Sequence, residues 1–212
     1  MEKNVMSIVL YHHPYSRAAN TLWMLEETGV PYDLRHVDIL KGAQKAPDIL
    51  ALNPMGKLPI LVDGSVVVTE SAAIGLYLAD RYAAGRLAPA LDDPDRATYL
   101  RWSFFAPSVI EPGAMARASG WSFRPGAAGF GTYEEMLSTM EAALAHGPCL
   151  LGDRFTMADV IFGGTLRYML QFNMLEPRSV FTDYVQGLNE RPAYQRANAK
   201  NTDIARELGL GR

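Results

Sequence analysis

Residues 53–71 read NPMGKLPILVDGSVVVTES, and their pattern decides the fold. Two short apolar runs, 60–62 and 66–68, flank Asp63-Gly64, a dipeptide favoured at tight hairpin turns. Thr69-Glu70-Ser71 then caps a helix running to about Arg81, with Ile74, Tyr77 and Leu78 as its buried stripe. Pro59 stands just ahead of the first strand, compatible with a cis bond in such a turn. A proline there leaves the backbone of Leu58 free to pair with an extended ligand.

Toward the N-terminus, residues 7–11 (SIVLY) form a β-branched-rich run that reads as a buried strand. After the loop His12-His13-Pro14-Tyr15, Ser16 stands at a predicted helix N-cap. Ala19, Leu22, Trp23 and Glu26 trace a helical face, and Gly29-Val30-Pro31 stops it. Residues 32–37 alternate as a half-buried strand does. Strand, helix and strand in this span make a right-handed βαβ unit with parallel strands. A polar loop runs from 41 into a short helix at 47–52. The order βαβαββα predicts an α/β, thioredoxin-like N-terminal domain with a mixed sheet over residues 1–82.

Residues 83–95 (AAGRLAPALDDPD) read as a linker, rich in Gly, Pro and Asp. From 96 to 212 helical signals dominate and predict an all-α C-terminal domain. Asp93-Pro94 opens a helix with Tyr99, Trp102 and Phe105, and Thr132 to Glu135 is a capping box. Gly147-Pro148 stops that second helix. Thr156 and Asp159 form another capping signature ahead of a long apolar helix, and Arg191-Pro192 opens a last one. Residues 118–131 carry five glycines or prolines and read as a loop.

Composition narrows the function. The 212 residues carry a net charge of −3 and no basic stripe, which argues against a nucleic-acid partner. No apolar run approaches the roughly 20 residues a membrane helix needs. The single cysteine, Cys149, excludes an intrachain disulfide, a CxxC pair and a cysteine-based zinc site. With no export signal, the expectation is a cytoplasmic protein. No metal site is expected, since His12-His13 has no nearby acidic or cysteine partner.

A thioredoxin-like domain ordinarily does thiol chemistry at the start of its first helix, where dipole and amides favour a thiolate. Here that place holds Ser16, and the lone thiol lies in the other domain. The thiol can instead arrive on a ligand. Leu58 would offer strand-like pairing, the start of the Ser71 helix would hold a carboxylate, and Glu70 an ammonium. These fit a small peptide with an amino-acid head and a central thiol.

Five segments in this order resemble the cytosolic glutathione S-transferases, bacterial and theta-like or serine-type: PYSRAANTLWMLEETGVPY (14–32), ILALNPMGKLPILVDG (49–64), VVVTESAAIGLYLADRY (66–82), LLGDRFTMADVIFGG (150–164) and ERPAYQRA (190–197). The resemblance implies that Ser16 donates to the glutathione thiolate, with Tyr11 or Tyr15 as the alternative. It further implies that Leu58 and Pro59 receive the cysteinyl backbone and that Glu70 and Ser71 grip the γ-glutamyl end. Gln44, Lys45 and Lys57 fall where the glycyl carboxylate is held, Gln44 replacing a histidine found in some classes. Glutathione is then the co-substrate, a hydrophobic electrophile the second substrate, and a homodimer the expected assembly. The implied activity is conjugation. A glutathione-dependent disulfide reductase and a non-catalytic glutathione- or ligand-binding protein remain the alternatives.

Other residues read more plainly. Phe105, Met115 and Trp121, with Phe123, are candidates for the electrophile pocket, while Tyr99, Trp102 and Phe104 suit core or dimer contacts. Asp159 with Thr156 reads as a buried cap, and Cys149 as a small buried hydrophobe. His36 and His146 read as structural.

Overall fold

The structure is a computed structural model that describes residues 8–210. Its contacts divide the chain into two units, one holding the residues up to Leu78 and those from Pro192 on, the other Ala79–Arg191.

In the first unit, β1 (Ile8–His12), β2 (Tyr32–His36), β3 (Ile60–Asp63) and β4 (Val66–Thr69) form one sheet in the order β2-β1-β3-β4. The β1/β2 pair is parallel, and β1/β3 and β3/β4 are antiparallel. Helix α1 (Ala18–Thr28) makes the crossover and ends at Gly29, whose φ of 75° lets its N–H turn back to the Leu25 carbonyl. Strand alternation covers both sheet faces. Ile8, Leu10 and Leu61 are buried on one face, while Tyr11, Val37 and Ile60 cluster on the other with Ile49 of α2 (Pro47–Leu52). Two short 3₁₀ turns, Ile39–Lys41 and Ala43–Lys45, occupy the predicted polar loop.

The hairpin turn sits one residue later than the sequence suggests. Asp63 pairs with Val66, so the two-residue loop is Gly64-Ser65, with Gly64 at φ 63°. The Tyr77 hydroxyl donates to Asp63 Oδ2 at 2.7 Å and keeps that carboxylate in the strand. Gly64 then fills the turn position that needs positive φ. Helix α3 (Ser71–Tyr82) follows directly.

Helix α9 (Pro192–Glu207), which the sequence groups with residues 96–212, packs on α1 within the first unit. Trp23 meets Tyr194 edge-on at 5.3 Å. Glu26 accepts from Arg196 Nε at 2.7 Å and Lys200 Nζ at 2.6 Å. In the sequence only Arg191-Pro192 announces α9, and an opening signal does not name the surface a helix covers.

The second unit holds α4 (Arg96–Phe105), α5 (Glu111–Ala118), α6 (Tyr133–Leu144), α7 (Met157–Gln171) and α8 (Ser179–Asn189). Between α4 and α5, residues Ala106–Ile110 form a π turn. Pro107 and Pro112 lack amide protons, so ordinary i→i−4 bonding is broken here and the turn widens. The core gathers Tyr99, Trp102, Phe162 and Phe181, all buried. Among the described residues no helix is long and apolar enough to cross a membrane.

Candidate active site

One row of residues runs across the sheet: Arg35, Tyr11, Ile60 and Thr69 are successive partners on β2, β1, β3 and β4. The segments that leave the sheet at this row are 12–16 after β1, 58–59 before β3 and 70–71 after β4. Topology therefore brings Ser16, Leu58, Pro59, Glu70 and Ser71 to one edge of the first unit, although they are scattered in sequence.

Ser16 lies one residue before the N-cap position, which Arg17 occupies. Its hydroxyl donates to the His13 carbonyl at 2.8 Å and accepts from the Ala18 N–H at 3.2 Å. It still bonds a backbone amide at the helix start, as a cap does, but from outside the helix. Tyr11 is buried and its hydroxyl accepts from Arg35 Nη1 at 3.0 Å, with the guanidinium 5.3 Å from the ring centre. The Tyr15 hydroxyl donates to the carbonyl of Leu210. All three hydroxyls hold protein partners, and Ser16 stands half-buried at the start of α1.

Two buried imidazoles flank this loop. His12 Nε2 meets Asn201 Oδ1 at 2.6 Å, and burial pushes its pKa down to about 4 despite that bond. His13 is also held below the usual histidine range by burial, with His36 adding to the shift and Asp38 opposing it. Both rings are neutral near pH 7.

The 53–57 loop is folded around one side chain. Asn53 Nδ2 donates to the Lys57 carbonyl at 3.0 Å, and its Oδ1 accepts from the Met55 N–H at 3.1 Å. Lys45 Nζ donates to the Met55 carbonyl at 2.8 Å. Gly56 is at φ 56°, and a Cβ there would fall 2.7 Å from the Gln44 carbonyl oxygen and 2.8 Å from Lys45 Cδ. This close approach joins Gln44 and Lys45 to the loop. Gln44 Oε1 is buried with no partner among the described residues. Lys57 is exposed.

Leu58–Pro59 is a cis peptide, and the Leu58 N–H and carbonyl have no hydrogen-bond partner among the described residues. Glu70 sits at φ 66°, a left-handed conformation that costs a non-glycine residue about 1 kcal/mol or more. The α3 ladder begins where the Ile74 N–H reaches the Glu70 carbonyl at 2.9 Å, so the amides of Ser71, Ala72 and Ala73 precede it. Such an end is suited to a carboxylate.

The pocket candidates lie in the second unit. Phe105 joins an aromatic cluster, its ring 5.1 Å from Trp102 and 6.5 Å from Phe162. Met115 is exposed on α5, Trp121 is 60% exposed, and Phe123 meets Phe130 at 5.1 Å. Among the described residues no ring contact joins Phe105 to Trp121, so the two do not form one aromatic cluster. Cys149 is buried, and desolvation pushes its thiol up to about 11, which keeps it an inert thiol near neutrality. Among the described residues no group of three or more His, Cys, Asp or Glu could hold a metal ion.

Three contributions escaped the sequence: the Asn53 side chain as organiser of its loop, His13 as a holder of the serine turn, and Asn201. Asn53 left a signal in its Asn-Pro step. Asn201 left none, being 189 positions from His12.

Fold and edge together define a thioredoxin-type domain with unpaired backbone at Leu58 and a serine where thiol proteins keep cysteine. The family described as glutathione S-transferase, N-terminal domain matches residues 6–80, and its C-terminal domain counterpart matches residues 114–189. Glutathione S-transferase 3 of Zea mays is 36% identical over 71% of this chain and 72% of its own length. Glutathione S-transferase Z2 of Arabidopsis thaliana is 31% identical over 80% of each chain. The theta class glutathione S-transferase from Xanthomonas axonopodis pv. citri, solved with glutathione bound, has a TM-score of 0.72 at 33% identity, covering 90% of this chain and 96% of that one. The chain belongs to the glutathione S-transferase family.

Proposed function

We propose that this chain is a theta-like, serine-type glutathione transferase that binds glutathione, favours its thiolate and conjugates it to hydrophobic electrophiles. Ser16 carries this reading: its hydroxyl lies at the sheet edge that also holds the unpaired backbone of Leu58. When bound, glutathione supplies the sulfur nucleophile, its thiol proton going to solvent. The Leu58 N–H and carbonyl pair with the cysteinyl backbone across Pro59. Glu70 takes the α-ammonium, and Ser71 with the first amides of α3 takes the γ-glutamyl carboxylate. Gln44, Lys45 and Lys57 serve the glycyl carboxylate. Lys45 keeps two N–H donors beyond the one given to Met55.

The role of Ser16 follows from exchanging acceptors. Its hydroxyl proton now rests on a neutral carbonyl. Turning it onto a thiolate replaces that bond with a charge-assisted one, which is stronger. The Ala18 N–H can keep donating to Oγ during the exchange. A depression of the thiol pKa by two units would correspond to roughly 2.7 kcal/mol of preference for the thiolate.

The electrophile side is assigned to Phe105, Met115 and Trp121, and the active assembly to a homodimer acting in detoxification in the cytoplasm. The theta class neighbour and the motif order support the subclass. The test is a titration of glutathione into the protein, following thiolate absorbance against pH. A thiolate signal that saturates near neutral pH in the native chain, and shifts up in Ser16→Ala, is the expected result. An unshifted signal in Ser16→Ala overturns the serine role.

A further inference from the structure

We propose that His13 is a positioning residue for Ser16: its ring and its carbonyl together fix the turn that presents the serine hydroxyl. The proposal rests on the role given to Ser16 above and adds the group that holds it in place.

The geometry is specific to one face of the imidazole. His13 Nδ1 accepts the backbone N–H of Tyr15 at 3.1 Å. A ring nitrogen that accepts carries no proton, so the neutral ring is protonated at Nε2. The His13 carbonyl accepts twice from Ser16, from its N–H at 3.0 Å and from its hydroxyl at 2.8 Å. Pro14 has no N–H, so Tyr15 supplies the first amide inside the turn, and His13 takes it through its side chain. One residue thus anchors each amide between itself and the serine.

What the ring gives up supports the same reading. His13 is fully buried, and its Nε2 has no hydrogen-bond partner among the described residues. A buried donor left unsatisfied is costly. An apolar side chain would fill the space without that cost, so the polar ring is retained for what Nδ1 does. The ring is braced by His36 at 5.4 Å and by the edge of Tyr15 at 5.9 Å between centroids, which fixes the direction of Nδ1.

Asparagine and glutamine separate positioning from bulk polarity. Asparagine carries its oxygen the same number of bonds from Cβ as Nδ1, and so accepts from an amide two residues on; glutamine carries it one bond too far. Two readouts are made on His13→Asn, His13→Gln and Ser16→Ala. The first is Tyr15 amide exchange by NMR without glutathione, and the second the titration of bound glutathione thiol with the split between kcat and glutathione KM.

The expected result is a protected Tyr15 amide in the native chain and in His13→Asn, and a loss of protection in His13→Gln. With it, the bound thiol pKa rises by about one unit in His13→Gln, a tenfold effect on kcat/KM carried mainly by kcat. His13→Asn restores both. Unchanged Tyr15 exchange in His13→Gln overturns the proposal, whatever the thiolate does. A thiolate that ignores His13→Gln but shifts in Ser16→Ala also overturns it. Failure of the serine reading appears separately, as an unshifted thiolate in Ser16→Ala.

Discussion

Among the helices that begin beside a hydroxyl residue, α7 and α1 do opposite work at their starts. Thr156, before α7, is buried, and its amide and hydroxyl both donate to Asp159. Asp159 accepts from the Leu150 and Thr156 amides at 2.8 Å each, from the Thr156 hydroxyl at 3.2 Å and from the Tyr184 hydroxyl at 2.9 Å. Burial still pushes the Asp159 carboxyl up, against the downward pull of those bonds. Ser16, before α1, is only half-buried, and its hydroxyl proton rests on a carbonyl it can leave. A start with every group satisfied holds a fold, whereas one with an exchangeable proton can serve a ligand.

The largest expected effect falls on the closed start. Asp159→Ala removes the acceptor of two amides and of the Thr156 and Tyr184 hydroxyls in the core and should cost about 3–5 kcal/mol of unfolding free energy in urea titrations. The bound-thiol titration of the folded fraction should not move. A shift there would erase the contrast between the two starts.

Acid should act on the open start first. The folded pKa of His12, about 4, lies below its unfolded value of 6.5. In that window the unfolded chain binds the extra proton, so stability falls as pH drops from 6.5 toward 4. The loss amounts to about 3 kcal/mol for the full shift. Urea titrations at the two ends of the window should show it, and His12→Gln should flatten it.

Ser16→Ala comes next: a bound-thiol pKa higher by about two units, roughly 100-fold in thiolate at fixed pH below it. The melting temperature should stay within a few degrees, since the cap position itself belongs to Arg17. Tyr15→Phe should do least, with kcat/KM within about threefold, since it removes one surface hydrogen bond of about 1 kcal/mol. A tyrosine-type mechanism predicts the reverse order for these two variants, so measuring both sharpens the assignment.

Much of the first unit was legible because its signals are local. Alternation in 32–37, the hairpin residues and Gly29 each name a conformation, and Leu58-Pro59 announced the exposed backbone of the site. The turn slipped by one residue because the pairing of Asp63 with Tyr77 is a tertiary fact. α5 and α8 went unread: one is separated from α4 only by a π turn, the other begins at Ser179 without a capping hydrogen bond. The pocket candidates resisted reading for a different reason. Aromatic residues look alike in sequence whether they join a ring cluster on a helix, as Phe105 does on α4, or face solvent beyond a helix end, as Trp121 does after α5.

Glu26 and its two cations set an order of assembly during synthesis. Burial pushes its carboxyl up, but hydrogen bonds from Lys200, Tyr32 and Arg196 outweigh this and hold it below the usual range. Lys200 and Arg196 lie on α9, which the ribosome makes only after all of Ala79–Arg191. A nascent chain therefore carries its sheet, its serine loop and its hairpin long before the helix that seals α1 exists. Domains generally fold as they emerge, first segment first. Here the first unit is completed only after the second has been made, and until α9 docks Glu26 lacks the cations of Arg196 and Lys200.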